Sequence, residues 1–401
     1  MVSYLVLFIN FLFLSLFSFS LSSVFFVSII ILSIYLGFDS SQTLFIFNNN
    51  FTNLITTPEI ISVPFFLLSS EILLNFGYTK KFKNAVFSAF GKNILSYVIY
   101  FLSICTVISS SVIFSKVLSR DFNTEEFNEQ KNFVRGYFFL SVISYIAPIS
   151  IPLIIFTSIL GASLKKTILI SFSYVLFLLI CYYFLLFKKN FNPIINKNIR
   201  FYNILPVTIY CLLLYFLIFI LSLPIDTISQ ILFSYSLLLI VFDRNFSAEL
   251  IIISAKNAFI RTGIIVSVIY FINIFNFYSI FSGSTDALIE NLALLVSESG
   301  FIIIFIYVIS FLMMDLLDPL GIILLLFPIY NNLITTYQIN KYAFLISFLS
   351  FVSMGLIGNI KELSGSVLRE KLSLKTFDIN DIISLDFILL SSLSFLIYFI
   401  I

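Results

Sequence analysis

Histidine and tryptophan are both missing from the 401 residues. Without histidine there is no imidazole for a metal ligand or for a general base near neutral pH. Charge is scarce as well: Asp, Glu, Lys and Arg make up 10% of the chain and leave a net charge of only +2. That balance excludes the basic footprint of a nucleic-acid binder. It also argues against an enzyme such as a membrane-embedded transferase, which needs Arg, Asp or His clustered at a cavity mouth. The three cysteines, Cys105, Cys181 and Cys211, all fall in apolar runs, which reads as reduced core thiols and not as a disulfide framework. With no tryptophan, the 21 tyrosines must supply any aromatic belt. Residues 1–36 carry no charge, so the basic start of a signal peptide is missing. That stretch reads as two spans joined by the turn-like FSFSLSS at 17–23.

What fills the chain is hydrocarbon. Hydrophobic residues reach 60% and the mean hydropathy is +1.11. Apolar runs long enough to cross a core of ~30 Å recur along the whole length, each needing ~20 residues. They are continuous, whereas a transmembrane β-barrel would show alternating segments of ~10 residues. The expected fold is an all-α polytopic membrane protein embedded in a lipid bilayer. Full crossings are expected near 3–19, 21–38, 58–79, 133–162, 167–187, 201–221, 225–242, 259–281, 340–362 and 382–401. Two further apolar segments, about 93–119 and 299–336, are broken in the middle and fit re-entrant helical hairpins. Non-helical backbone is tolerated at that depth only where protein or a water-filled cavity satisfies it.

The distribution of basic residues tests this layout. With the N-terminus outside and both broken segments re-entrant, the inner segments hold groups of four, four, four, three and four Lys or Arg, or 19 of the 22. Only Lys165, Lys166 and Lys341 fall outside. The outer loops at 39–57 and 282–298 contain no Lys or Arg. Reading the first hairpin as a full crossing would move the later basic clusters outside. Three spans, an inner hairpin and two spans then make a first half, 1–200. Three spans, an outer hairpin and two spans make a second half of opposite orientation, 201–401. Inverted repeats with broken helices meeting at mid-membrane are an architecture of secondary transporters. The halves share no convincing residue-level identity, so the repeat is one of topology.

Several local features could carry chemistry. At the first hairpin tip, Ser109, Ser110 and Ser111 offer hydroxyls and freed carbonyls to a small cation or a carboxylate; the alternative is simple back-bonding to helix carbonyls. In SYIAPISIP (144–152), Pro148 and Pro152 lie four residues apart, which predicts either local unwinding or two kinks without a ligand. In MMDLLDPLGIILLLFP (313–328), Asp318 and Pro319 read as a turn and a cap, and Gly321 allows close approach. Asp315 lies on the same helical face as Asp318. The pair is either part of an ion site at a hairpin tip or solvated in a connecting loop. In GLIGNIKELSG (355–365), Gly355, Gly358 and Asn359 could break the helix. Glu71, inside PFFLLSSEILL (64–74), is either a functional intramembrane carboxylate or an interfacial one near Lys80, Lys81 and Lys83.

The segment SVPFFLLSSEILLNFGYTKKFKNAVFSAFG (62–91) resembles the first signature of the large membrane subunit of TRAP transporters, the tripartite ATP-independent periplasmic carriers. Ile108-Ser109-Ser110-Ser111-Val112 stands where that family has an ISGSA tip. IAPISIPLIIFTSILGASLKKTILISF (146–172) is similar to its IGPIIPPSIPMVIYG segment, and MMDLLDPLGIILLLFPI (313–329) to its FLDPLAAILILTPI hairpin. The order is the same along nearly the whole chain. The resemblance implies an elevator-type inverted-repeat carrier in a bacterial inner membrane. It would be a sodium symporter with no other cofactor, importing small organic acids. Its partners would be a small four-span membrane subunit and a soluble periplasmic substrate-binding protein. Ser109, Ser110, Ser111, Ala147, Pro148, Pro152, Asp318, Pro319 and Gly321 would then line the ion and substrate sites. Gly355, Gly358 and Asn359 would do the work of a TPP-type motif that the chain lacks. Ser110 replaces the family's glycine, one proline of IIPPS is gone, and Asp315 sits where the family is apolar. Two other readings fit the altered motifs: a divergent carrier working without a binding protein, and a non-transporting relic of the family.

Overall fold

The computed structural model describes residues 2–15, 21–90, 145–186, 203–242, 247–295, 306–310, 319–336 and 338–358, with the single positions 100, 143 and 313. The helices are α1 (Val2–Ser15), α2 (Leu21–Tyr35), α3 (Ser40–Thr56), α4 (Pro58–Asn75), α5 (Tyr78–Phe90), α6 (Ile151–Ile159), α7 (Leu164–Leu186), α8 (Leu205–Phe219), α9 (Ile225–Phe242), α10 (Ala248–Phe281), α11 (Ser284–Leu295), α12 (Pro319–Leu325), α13 (Phe327–Thr336) and α14 (Lys341–Gly358). There is no strand among the described residues. Three helices, α4, α9 and α10, are long and apolar enough to cross a bilayer. The chain is an α-helical membrane protein. The span expected at 382–401 and the first hairpin at 93–119 lie outside the described residues, apart from Tyr100.

Two expectations need correction. The outer loop at 39–57 is a helix, α3. Its start is set by a side chain: the Asp39 backbone N–H donates to Gln42 Oε1 at 3.0 Å, the reciprocal half of a capping box. Just before it, Gly37 in the left-handed region closes α2, with Phe38 N–H donating back to the Ser33 carbonyl at 3.0 Å. The second correction is α10, which begins at Ala248 and runs for 34 residues, eleven before the expected start at 259. Ser247 caps it, accepting from Leu250 N–H at 3.4 Å. The intervening AELIIISAKNAFI contains no Gly or Pro to stop a helix.

Helix α4 lies at the centre. It packs most extensively on α9 and α10 and also touches α3, α5 and α6. Its apolar residues Val63, Phe66, Leu67, Ile72, Leu73 and Leu74 are all buried. Such a helix has no solvent stripe, as expected for one surrounded by protein within a membrane. Glu71 meets Arg261 and Asn75 meets Ser254, so α4 and α10 run antiparallel. Phe65 against Phe233 and Tyr78 against the Leu239 carbonyl make α4 and α9 parallel. On the other side, Phe26 against Phe271 and Phe38 against Phe281 make α2 and α10 parallel.

These contacts recur at a fixed offset. Helix α4 ends through Gly77 (φ 72°) into α5, and α10 ends through Gly283 (φ 64°) into α11. The two glycines are 206 positions apart (283 − 77). The turns share their bonding: Phe76 N–H to Ile72 and Gly77 N–H to Leu74, against Ser282 N–H to Tyr278 and Gly283 N–H to Ile280. At the same offset, Tyr210 matches Tyr4, Ser69 matches Phe275, and Thr79 matches Thr285. Ser69 bonds Tyr210 at 3.0 Å, and Phe275 packs edge-on against Tyr4 with centroids 5.8 Å apart. α4 and α10, the matched helices, are the antiparallel pair.

A Cβ built on Gly77 or Gly283 meets nothing within 4 Å, so only backbone strain opposes a larger residue there. Gly77→Ala and Gly283→Ala are each expected to lower stability by roughly 1 kcal/mol, the cost of left-handed backbone for an L-residue, and Asn at either position by less. Thermal unfolding in detergent micelles checks this; a cost rising steeply with side-chain size would point to crowding instead.

Candidate functional site

The clearest irregularity is the break at 147–150. Helical backbone reaches Ile146, stops through Ala147, Pro148 and Ile149, and restarts at Ile151. The expected local unwinding between Pro148 and Pro152 is present, and both prolines are buried. Ser150 is the N-cap of α6, accepting from Leu153 N–H at 3.3 Å. Pro152 sits in the first turn, where a missing N–H costs nothing. The freed carbonyls are met by hydroxyls. Ser150 Oγ donates to the Tyr145 carbonyl, and Ser171 Oγ of α7 donates to the Ile146 carbonyl. The Pro148 carbonyl has no N–H four residues on, because residue 152 is proline.

A second irregularity lies between α12 and α13. Pro328 has no N–H for the Leu324 carbonyl. Asn276 Nδ2, from α10, donates to it at 2.8 Å. The Ile323 carbonyl, at the same kink, accepts from the buried Tyr330 hydroxyl at 2.6 Å. This kink sits seven residues beyond Gly321 and was not singled out in the sequence, although Pro328 in an apolar run was a visible signal.

α6, α12 and α14 pack on one another. Four rings, Phe156, Tyr330, Phe344 and Phe348, tie α6, α13 and α14: Phe156 lies 5.4 Å from Tyr330 and 5.6 Å from Phe348, and Tyr330 lies 5.5 Å from Phe344. Such pairs contribute beyond their buried area. Thus the elements bearing Pro152, Pro319 with Gly321, and Gly355 with Gly358 are brought together. Ala147 is fully buried at the break. Ser109, Ser110, Ser111, Asp315, Asp318 and Asn359 lie outside the described residues. Gly355 does not break its helix: α14 continues to Gly358. One glycine costs a helix only about 1 kcal/mol, and α14 is buried along Phe344, Leu345, Ile346, Phe348 and Leu349, which outweighs it.

Two of the three basic residues expected outside have structural work. Lys165 Nζ donates to the Phe219 carbonyl at the end of α8 at 2.8 Å, and Lys341 Nζ to the Leu160 carbonyl at the end of α6 at 3.1 Å. Ser163 N–H donates to the Tyr342 hydroxyl at 3.2 Å. Cations suit helix C-termini, where carbonyls lack partners. These contacts gather residues 160–165, 219–222 and 341–342.

Of the two readings left open for Glu71, the structure keeps the one inside the protein. It is fully buried in α4, not interfacial, and its Oε1 lies 3.0 Å from Arg261 Nη1 of α10. Asn75 Nδ2 reaches Glu71 Oε2 at 3.3 Å and Ser254 Oγ at 2.8 Å. Lys81 covers the Tyr78 ring and Lys83 the Phe87 ring. A carboxylate at this depth demands a cation. Arg261, alone in its apolar tract, was the signal, but pairing them needs the antiparallel packing of α4 on α10.

No family model matches the chain, and no curated protein matches it. Fold and site define an α-helical membrane protein with a buried helix break and a buried ion pair between helices.

Glu71→Ala leaves Arg261 uncompensated and is expected to cost about 3–5 kcal/mol, whereas Glu71→Leu with Arg261→Leu recovers most of it. Unfolding temperature and yield of folded protein from membranes read this out. Equal loss in single and double variants would show that the pair is not the source.

Proposed function

We propose that the chain is the large permease subunit of a sodium-coupled secondary carrier, importing small organic acids delivered by a soluble periplasmic binding protein. The observation that carries this reading is the buried helix break at Ala147–Ser150 beside α12. Broken helices packed against hairpin arms are where secondary carriers hold ions and substrate. The Pro148 carbonyl, with no N–H four residues on, is the kind of group that ligates a cation there. The recurrence at an offset of 206, with α4 antiparallel to α10, supports two inverted halves, 1–200 and 201–401.

In this proposal ten spans and two hairpins form an elevator in a bacterial inner membrane, paired with a small four-span subunit. Ser109, Ser110, Ser111, Ala147, Pro148 and Pro152 line one side of the site. Asp315, Asp318, Pro319, Gly321, Gly355, Gly358 and Asn359 line the other. Sodium is the coupling ion and a small carboxylate the substrate.

The test is uptake into proteoliposomes holding this chain and its small partner, with the binding protein and its ligand outside. A sodium gradient is expected to drive uptake, and dissipating it to stop uptake. Uptake that ignores the binding protein would favour the carrier working alone; none at all from folded protein would favour the relic. Pro148→Ala with Pro152→Ala, which lets the helix close, is expected to weaken the sodium dependence about tenfold, as for one ligand worth about 1.4 kcal/mol, without loss of thermal stability.

A further inference from the structure

The offset of 206 also exposes a difference between the halves. Tyr210 is fully buried and its hydroxyl is satisfied by Ser69. Its counterpart Tyr4 meets Phe275 at the position matching Ser69, and a phenyl ring offers no such bond. The Tyr4 hydroxyl is buried and faces Thr285, without reaching full hydrogen-bond geometry.

Three more oxygens, on α10 and at the start of α11, share this condition. Asn276 Oδ1, Ser279 Oγ and Thr285 Oγ1 are buried and have no hydrogen-bond partner. Their side chains are 8%, 0% and 3% exposed. Asn276 and Ser279 are three residues apart on α10 and share a face. The amide nitrogen of Asn276 is already committed to the Leu324 carbonyl at 2.8 Å, which leaves Oδ1 as a pure acceptor. Around them Ser282 bonds Ser3 at 3.0 Å and Ser284 at 2.8 Å, which closes the end of the wedge between α1, α10 and α11. Each buried oxygen left open costs about 1–3 kcal/mol.

The donor set decides what could fill the wedge. Asn276 Oδ1 can only accept, which is wrong for an anion. A divalent cation would need carboxylates among its ligands. Neutral oxygens suit a small monovalent cation.

We propose that Tyr4, Asn276, Ser279 and Thr285 form a binding site for a monovalent alkali cation between α1, α10, α11 and α12. The site is separate from the helix break at Ala147–Ser150 and does not depend on the carrier reading. Occupying it would tie α12, through the Asn276 contact to Leu324, to the end of α10.

The experiment is thermal unfolding of the purified full chain in detergent, in sodium, lithium, potassium or choline chloride at equal ionic strength. Sodium or lithium is expected to raise the midpoint by roughly 3 °C over choline once well above its dissociation constant. Tyr4→Phe with Ser279→Ala should abolish that rise without lowering the midpoint in choline, since both changes remove unpartnered buried oxygens. Tyr210→Phe, which breaks a satisfied bond, should lower the midpoint in every salt and keep the sodium rise. Absence of any cation-specific rise in the unaltered chain overturns the proposal and points to water in the wedge. A rise that persists undiminished in the Tyr4→Phe, Ser279→Ala chain also overturns it, placing the ion elsewhere and leaving the carrier reading standing.

Discussion

A peptide group inside a membrane has no water to fall back on, and several departures from regular helix among the described residues are answered by side chains. Where Pro148 and Pro152 unwind the backbone, Ser150 and Ser171 meet the Tyr145 and Ile146 carbonyls. Where Pro328 removes a donor, Asn276 and Tyr330 step in. Where α6 and α8 end, Lys341 and Lys165 bond the last carbonyls. An unsatisfied peptide group in hydrocarbon costs several kcal/mol, more than a typical hydrogen bond contributes net. The irregular points of the backbone therefore dictate which polar residues stand where on neighbouring helices.

Long apolar periodicity and proline positions were legible in the sequence. Ile225–Phe242 appears with the expected bounds, and the break between Pro148 and Pro152 is where two missing donors put it. Two lysines that break the expected one-sided distribution of basic residues, Lys165 and Lys341, bond carbonyls at helix ends. What could not be read was anything that depends on who lies next to whom. Glu71 had three lysines close in sequence and an arginine 190 positions away (261 − 71) in space. The helix at Ser40–Thr56 was hidden because its polar, asparagine-rich composition resembles a loop, while its start is fixed by one Gln42 side chain. Gly355 looked like a breaker because glycine is weak in isolated helices; burial of α14 overrides that preference.

The helices related by the offset of 206 match in position far more than in residue type. Gly77 and Gly283 stay the same because an L-residue is strained at their φ values. Most other pairs have drifted, including Ser69 to Phe275 and the ion-pair residues Glu71 and Arg261, which stand opposite Phe277 and Ile55 at the same offset. Backbone geometry tolerates such drift as long as buried volume and polar balance hold. The drift is informative in itself, since an ion pair or an open oxygen present in one half only breaks the equivalence between the two faces.

The length of α10 sets a further condition on its surroundings. Thirty-four residues extend about 51 Å, against a hydrocarbon core of about 30 Å. Fitting the whole helix inside by tilt would take roughly 54°, beyond the roughly 40° that membrane helices reach. One end must therefore leave the hydrocarbon. The N-terminal stretch is the end that can do so, because it exposes Ile252, Ile253, Phe259 and Ile260 while carrying Glu249 and Lys256. That mixture suits the headgroup boundary, where greasy and charged groups are both at home. The protein thus carries its own gauge of bilayer thickness: in a thicker or thinner membrane the point along α10 at which the helix leaves the hydrocarbon must shift, while Arg261 stays held by Glu71 on the enclosed α4.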